Sequence, residues 1–164
     1  MRIREAFPLF CLLFMLVLPV SGQSVAYQTL LKGLYDADFP VLRPDQIPDL
    51  GKYQVLDARE KAEYDVSHLP KARWVGHETF SLTSVAGLDK TKPVLIYCTV
   101  GARSEQIGKQ LQKDGFTKVY NLYGGILHWV NEGRQVVAQG KPTSKVHTYS
   151  RSWGIWLSRG EKVY

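Results

Sequence analysis

The sequence predicts an α/β fold: one open parallel sheet with helices on both faces, a single domain, and an aromatic, basic C-terminal extension. Two observations carry this. The run PVLIYC at 93–98 is continuously apolar, the pattern of a strand covered on both faces in a parallel sheet. Other strand-like runs alternate along the chain with segments of helical spacing, and that alternation implies parallel strands joined by right-handed crossovers. A chain of 164 residues can bury one sizeable core but not two.

The elements follow in order. Residues 25–36 place Leu30, Leu31, Leu34 and Tyr35 at helical intervals. FPVLR at 39–43 is apolar, bounded by prolines, and reads as a short strand; Pro44 then starts a turn or short helix ending near Leu50. YQVLDA at 53–58 is a buried-strand pattern that ends on an acidic residue, residues 60–64 are helix-like, and ARWV at 72–75 is a further strand. After the run at 93–98, residues 104–114 set Ile107 and Leu111 four apart before Gly115, a natural helix stop. KVYNL at 118–122 is the next strand, and Gly124-Gly125 opens a short helix holding Leu127, Trp129 and Val130. No internal repeat or low-complexity segment interrupts this order.

The first 22 residues stand apart. Arg2 and Arg4 precede an uninterrupted apolar run at 9–18, Pro19 breaks it, and small residues precede Gln23. This is the layout of a secretory signal peptide, and the run is short for a membrane span. The expectation is export to a periplasmic or extracellular space, with an N-terminal helical segment at 23–36, the main domain at 37–139 and the extension at 140–164. Cleavage after Gly22 removes Cys11 and leaves Cys98 as the one cysteine. A lone thiol in an oxidising compartment is a liability unless it is buried or used. The net charge of +6 is spread along the chain, so no nucleic-acid partner is expected.

Cys98 therefore directs the functional reading. On its own it would pass for a small buried hydrophobe at the end of a core strand. Its neighbours argue otherwise. The segment CTVGARS, 98–104, lies between the carboxyl end of a strand and the start of a helix, where open α/β sheets bind ligands. The helix start offers unpaired N–H groups and partial positive charge. Gly101 permits backbone angles closed to other residues, and Arg103 adds a permanent cation. Each feature favours a nucleophilic sulfur or a bound anion.

Four ordered segments resemble the rhodanese-like domain family across about residues 37–139: LDAR at 56–59, SHLPKAR at 67–73, CTVGARS at 98–104 and LYGGILHW at 122–129. Ser67 and Lys71 stand where that family often carries glycines. The resemblance implies a sulfurtransferase in which Cys98 takes the outer sulfur of thiosulfate or a related small anionic donor. It then passes that sulfur, held as a persulfide, to a thiol, to cyanide or to a redox protein, in two displacements. It also implies that backbone groups from Thr99, Val100, Gly101, Ala102, Arg103 and Ser104 cradle the donor, with the Arg103 guanidinium on a sulfonate. Cys98 and Arg103 enclose four residues, one fewer than in related phosphatases, whose loop surrounds a tetrahedral phosphate. A Cys-dependent phosphatase or arsenate reductase remains one alternative, and a non-catalytic persulfide carrier or interaction module another.

The remaining candidates read as structural. Asp57 is expected to fix loops near the site, Arg59 to pair with Glu60 or Glu63, and His68 to brace the turn before Pro70. His77, His128 and His147 are widely separated, so neither metal nor cofactor is expected. Residues 141–164 gather Tyr149, Trp153, Trp156 and Tyr164 among basic residues, too aromatic for an ordinary tail. Packing back over the domain is the favoured reading, and in that case the tail restricts which donors enter. Docking on a partner protein or on a membrane surface are the other two.

Overall fold

The computed structural model describes residues 25–164; the apolar run and Cys11 lie outside the described residues. The order is α1 (Val25–Leu34), β1 (Val41–Leu42), β2 (Gln54–Asp57), α2 (Lys61–Val66), β3 (Arg73–Trp74), β4 (Val94–Tyr97), α3 (Ala102–Lys113), β5 (Val119–Leu122), α4 (Gly125–Asn131), β6 (Val136–Ala138), β7 (Lys141–Thr143), β8 (Lys145–His147), α5 (Arg151–Gly154) and β9 (Glu161–Val163). Five strands form one parallel sheet in the order β1-β5-β4-β2-β3. The expected α/β architecture is present.

Burial of both sheet faces follows from alternation along β2 and β4. Val55, Leu95 and Tyr97 point into one cluster with Tyr27 and Leu31 of α1 and Ile126, Leu127 and Trp129 of α4. Leu56, Val94 and Ile96 point the other way, into a cluster with Ile107 and Leu111 of α3. No residue of β4 is left exposed, and this two-sided covering is what an unbroken apolar run reports.

Two expected elements differ in extent. The strand anticipated at 39–43 pairs over Val41–Leu42 alone, because the flanking Pro40 and Pro44 have no N–H to give a ladder. The helix anticipated from Ser104 begins at Ala102. Gly101, at φ 111°, turns the chain directly out of β4, which brings Arg103 into the first helical turn.

The strand order places the site. From β2 the chain moves outward to β3, then returns to lay β4 on the other side of β2. The order therefore reverses between β2 and β4, and ligands in open α/β sheets sit beyond the carboxyl ends of strands at such a reversal. Asp57 ends β2, Tyr97 ends β4, and the two are paired in register.

After α4 the chain leaves the sheet. β6 and β7 form an antiparallel hairpin across Gln139 and Gly140, both at positive φ, as a two-residue turn that matches strand twist requires. The expected boundary at residue 140 falls inside this turn. β8 and β9 pair in parallel around α5, and Trp156 stacks on Tyr27 at 5.1 Å, so the extension packs back against the domain. Among the described residues no helix is long and apolar enough to cross a membrane.

Candidate active site

Cys98 follows the last residue of β4 and is 1 % exposed. Its sulfur accepts a hydrogen bond from the Gly101 N–H at 3.1 Å. The loop has a tight curl because Gly101 is left-handed, and a side chain there would meet the Tyr35 ring within 2.7 Å. Thr99, Val100, Ala102 and Arg103 join Cys98 around a cavity of about 160 Å³, whose other walls are Tyr149 and Trp153 of the extension.

The loop is held from three directions. From α4, the Ile126 and Leu127 N–H groups donate to the Cys98 and Thr99 carbonyls at 3.0 and 3.3 Å. That approach depends on Gly125, where a Cβ would lie 2.6 Å from the Thr99 carbonyl carbon. From β5, the buried Asn121 side chain donates to the Gly101 carbonyl at 2.9 Å, and the Ser104 hydroxyl lies 2.7 Å from the Asn121 carboxamide oxygen. From the segment after α1, the Tyr35 hydroxyl donates to the Val100 carbonyl and accepts from the Gly124 N–H at 2.8 Å. Burial, foremost, pushes the Tyr35 phenol well above its ordinary range, so it stays a donor at any physiological pH. Most polar groups that curl the loop thus have partners, as buried groups require.

Arg103 points across the cavity to α2. Its two terminal nitrogens donate to the two Glu63 oxygens, both at 2.9 Å, and Nη2 also reaches the Thr99 hydroxyl at 2.9 Å. Thr99 in turn donates to Glu63 at 2.8 Å. Glu63 is 2 % exposed. Burial works against its charge, but hydrogen bonds and attraction from Arg103 outweigh that and hold the carboxyl below its usual range. Burial likewise opposes the Arg103 charge, and Glu63 together with the neighbouring Cys98 sulfur more than offsets it. Such a two-pronged pair is strong and strictly oriented.

The structural candidates lie beneath this floor. Arg59 pairs with Asp57 through three side-chain bonds, at 3.0, 3.2 and 2.7 Å, with both side chains fully buried. The expected pairing of Arg59 with Glu60 or Glu63 is therefore replaced: α2 turns Glu63 toward the cysteine loop, and the acid two residues before Arg59 takes its place. Tyr97 donates to Asp57 and accepts from the Leu69 N–H, while Arg59 also reaches the Ser67 carbonyl at 2.5 Å. His68 stacks on Tyr64 at 3.9 Å and contacts the Tyr64 carbonyl at 3.1 Å. None of Asp57, Arg59 and His68 lines the cavity.

The Rhodanese-like domain family model matches residues 45–132. This chain belongs to the rhodanese-like domain family. Curated relatives include tRNA uridine(34) hydroxylase of the Aster yellows witches'-broom phytoplasma, 34 % identical over 66 % of this chain and 35 % of that protein. The enzyme of the same name from Sodalis glossinidius is 34 % identical over 53 % of this chain and 25 % of its own length. The chain thus spans about a third or less of these relatives. Solved structures that share the fold include a Bacillus halodurans protein, TM-score 0.56 at 22 % identity, covering 70 % of this chain and 85 % of that one. Thiosulfate sulfurtransferase from Pseudomonas aeruginosa also matches, TM-score 0.56 at 22 % identity over 71 % of this chain and 23 % of that one.

Within this rhodanese-like domain, sequence reasoning missed several contributors to the site. Asn121 looked like one more residue of a strand, and Tyr35 like one more apolar position of a helix. Glu63 partners Arg103 rather than Arg59. A polar residue inside the apolar strand KVYNL was the available signal for Asn121, since a buried carboxamide must find partners.

Proposed function

We propose that the protein is a sulfurtransferase in which Cys98 accepts a sulfane sulfur and passes it on. The observation that carries this reading is the curl of the loop: the Gly101 N–H points at the Cys98 sulfur, and that sulfur borders a cavity shared with Arg103. A group that must alternate between a sulfur bearing negative charge and a persulfide is served by fixed donors aimed at it, because they require no reorganisation during reaction.

In the first displacement the Cys98 sulfur attacks the outer sulfur of thiosulfate or a related donor. A new S–S bond forms, the donor's S–S bond breaks, and its electron pair leaves with sulfite or the corresponding sulfinate. In the second, a thiol or cyanide attacks the terminal sulfur of the persulfide and Cys98 is regenerated. Four residues separate Cys98 from Arg103, and the loop they form is curled onto a single sulfur rather than opened around a phosphate. The relatives named tRNA uridine(34) hydroxylase match over only part of their length, so the support from them extends to a rhodanese-like domain of an enzyme and not to the reaction.

The decisive measurement is intact mass after incubation with a sulfur donor, followed by cyanide. Wild type should gain one sulfur and lose it to cyanide, and Cys98→Ser should gain none. Sulfur loading on Cys98→Ser, or none on wild type with thiosulfate and with organic persulfides, would sink the proposal. Phosphate release from aryl phosphates would instead indicate a hydrolase.

A further inference from the structure

We propose that Tyr149 and Trp153 of the C-terminal extension are the specificity wall of the Cys98 site, selecting organic sulfur donors with an apolar or aromatic group behind the transferred sulfur over inorganic oxyanions. This rests on the sulfur-transfer reading above and names the donor class for it.

Charge supplies the first argument. Among the described residues Arg103 is the one cation lining the cavity, and both its terminal nitrogens are already engaged by Glu63. The pair is neutral as a unit, so a dianion such as thiosulfate must compete with a buried carboxylate for the same fork. The Tyr149 ring lies over the Arg103 guanidinium at 4.9 Å, which covers another face of that cation. The Thr99 hydroxyl is likewise taken up by Glu63 and Arg103, and the other side chains lining the cavity beside Cys98 are Val100, Ala102 and the two aromatic rings.

Shape supplies the second. A cavity of about 150 Å³ can hold a benzene-sized ring, and this one is about 160 Å³. Tyr149 adopts φ 68°, a left-handed conformation that costs a non-glycine residue on the order of 1 kcal/mol. It is kept there by its N–H donating to His147 Nδ1 at 3.1 Å, between a fully buried Thr148 and Ser150, whose hydroxyl caps α5. The surrounding extension therefore over-determines the position of an aromatic ring that remains 55 % exposed. A ring held in place and left open on one side is a stacking surface.

The chemistry balances for a thiosulfonate, R–SO2–S⁻. Cys98 sulfur attacks the terminal sulfur, the donor S–S bond breaks, and the pair of electrons leaves with the sulfinate R–SO2⁻. Cyanide then carries the sulfur away as thiocyanate.

The test is steady-state transfer to cyanide from benzenethiosulfonate and from thiosulfate, with wild type, Tyr149→Ala, Trp153→Ala and Tyr149→Phe. Wild type should favour benzenethiosulfonate in kcat/KM, and each alanine variant should reduce that preference about tenfold, chiefly through KM, as loss of an aromatic stacking surface predicts. Tyr149→Phe, which keeps the ring, should retain the preference. A wild-type preference for thiosulfate, or an unchanged ratio in the exposed-site variant Tyr149→Ala, overturns the inference and leaves sulfur transfer standing. No transfer from either donor overturns both.

Discussion

Glu63 shows how one side chain can bind a site together. It accepts from Arg103 twice and from Thr99 once, and its own helix start donates the Glu60 N–H to it at 3.1 Å. Removing the charge leaves Arg103 facing an amide, and breaking a mostly buried pair costs about 2–3 kcal/mol. Glu63→Gln should lower stability by that amount at neutral pH, measurable by urea unfolding. The pH dependence has a definite sign. The folded carboxyl lies below its ordinary 4.5, so the unfolded chain binds the extra proton. Glu63 thus contributes fully above pH 4.5, and the contribution is lost as pH falls through the lower folded value. The gap between wild type and Glu63→Gln should narrow below that pH, and a gap that stays constant would deny Glu63 its charged role.

At the scale of elements, the cysteine loop is shaped less by its own residues than by the helix that closes on it. The first turn of α4 donates to the Cys98 and Thr99 carbonyls, and Gly125 at φ 57° leaves room for it. A methyl group at that position collides with backbone, which cannot yield as a flexible side chain would. Gly125→Ala should therefore cost about 2–4 kcal/mol through combined strain and overpacking. It should also depress sulfur loading of Cys98 more than a surface mutation of equal destabilisation. Thermal unfolding alongside the mass assay separates the two effects, and normal loading with normal stability would remove α4 from the account. The glycine pair was visible in LYGGILHW, but its partner was not, because residues 98 and 125 are joined only by β5 lying beside β4.

Across the whole molecule, the extension is part of the fold. Trp156 stacks on Tyr27, and its carbonyl accepts from Asn131, whose oxygen takes the Ser158 N–H at 2.8 Å. Tyr27 lies in the same cluster as the strands that carry the site, so the extension and α1 support each other on that face of the sheet. Trp156→Ala should cost about 2–3 kcal/mol, at the low end for a large aromatic because the ring is only half-buried. The corresponding fall in Tm is roughly 5–10 °C for a chain of this size. A shift under about 1 °C would mean the extension merely rests on the surface.

The parallel sheet, its central strand, the nucleophile candidate and the helix that follows it were legible in the residues, because hydrophobic period and glycine placement are local properties. So was the aromatic character of the extension. The partner of Arg103 was not: Glu63 lies 40 residues away in sequence, and Arg59 had acidic candidates on both sides. Nor were Tyr35 and Asn121, whose roles exist only once α1 and β5 are laid against one loop. Which rings of the extension line the Cys98 cavity was equally hidden, since Tyr149 is placed there by a left-handed turn. Side-chain pairing between distant segments depends on how elements pack in three dimensions, and spacing along one chain carries no record of it.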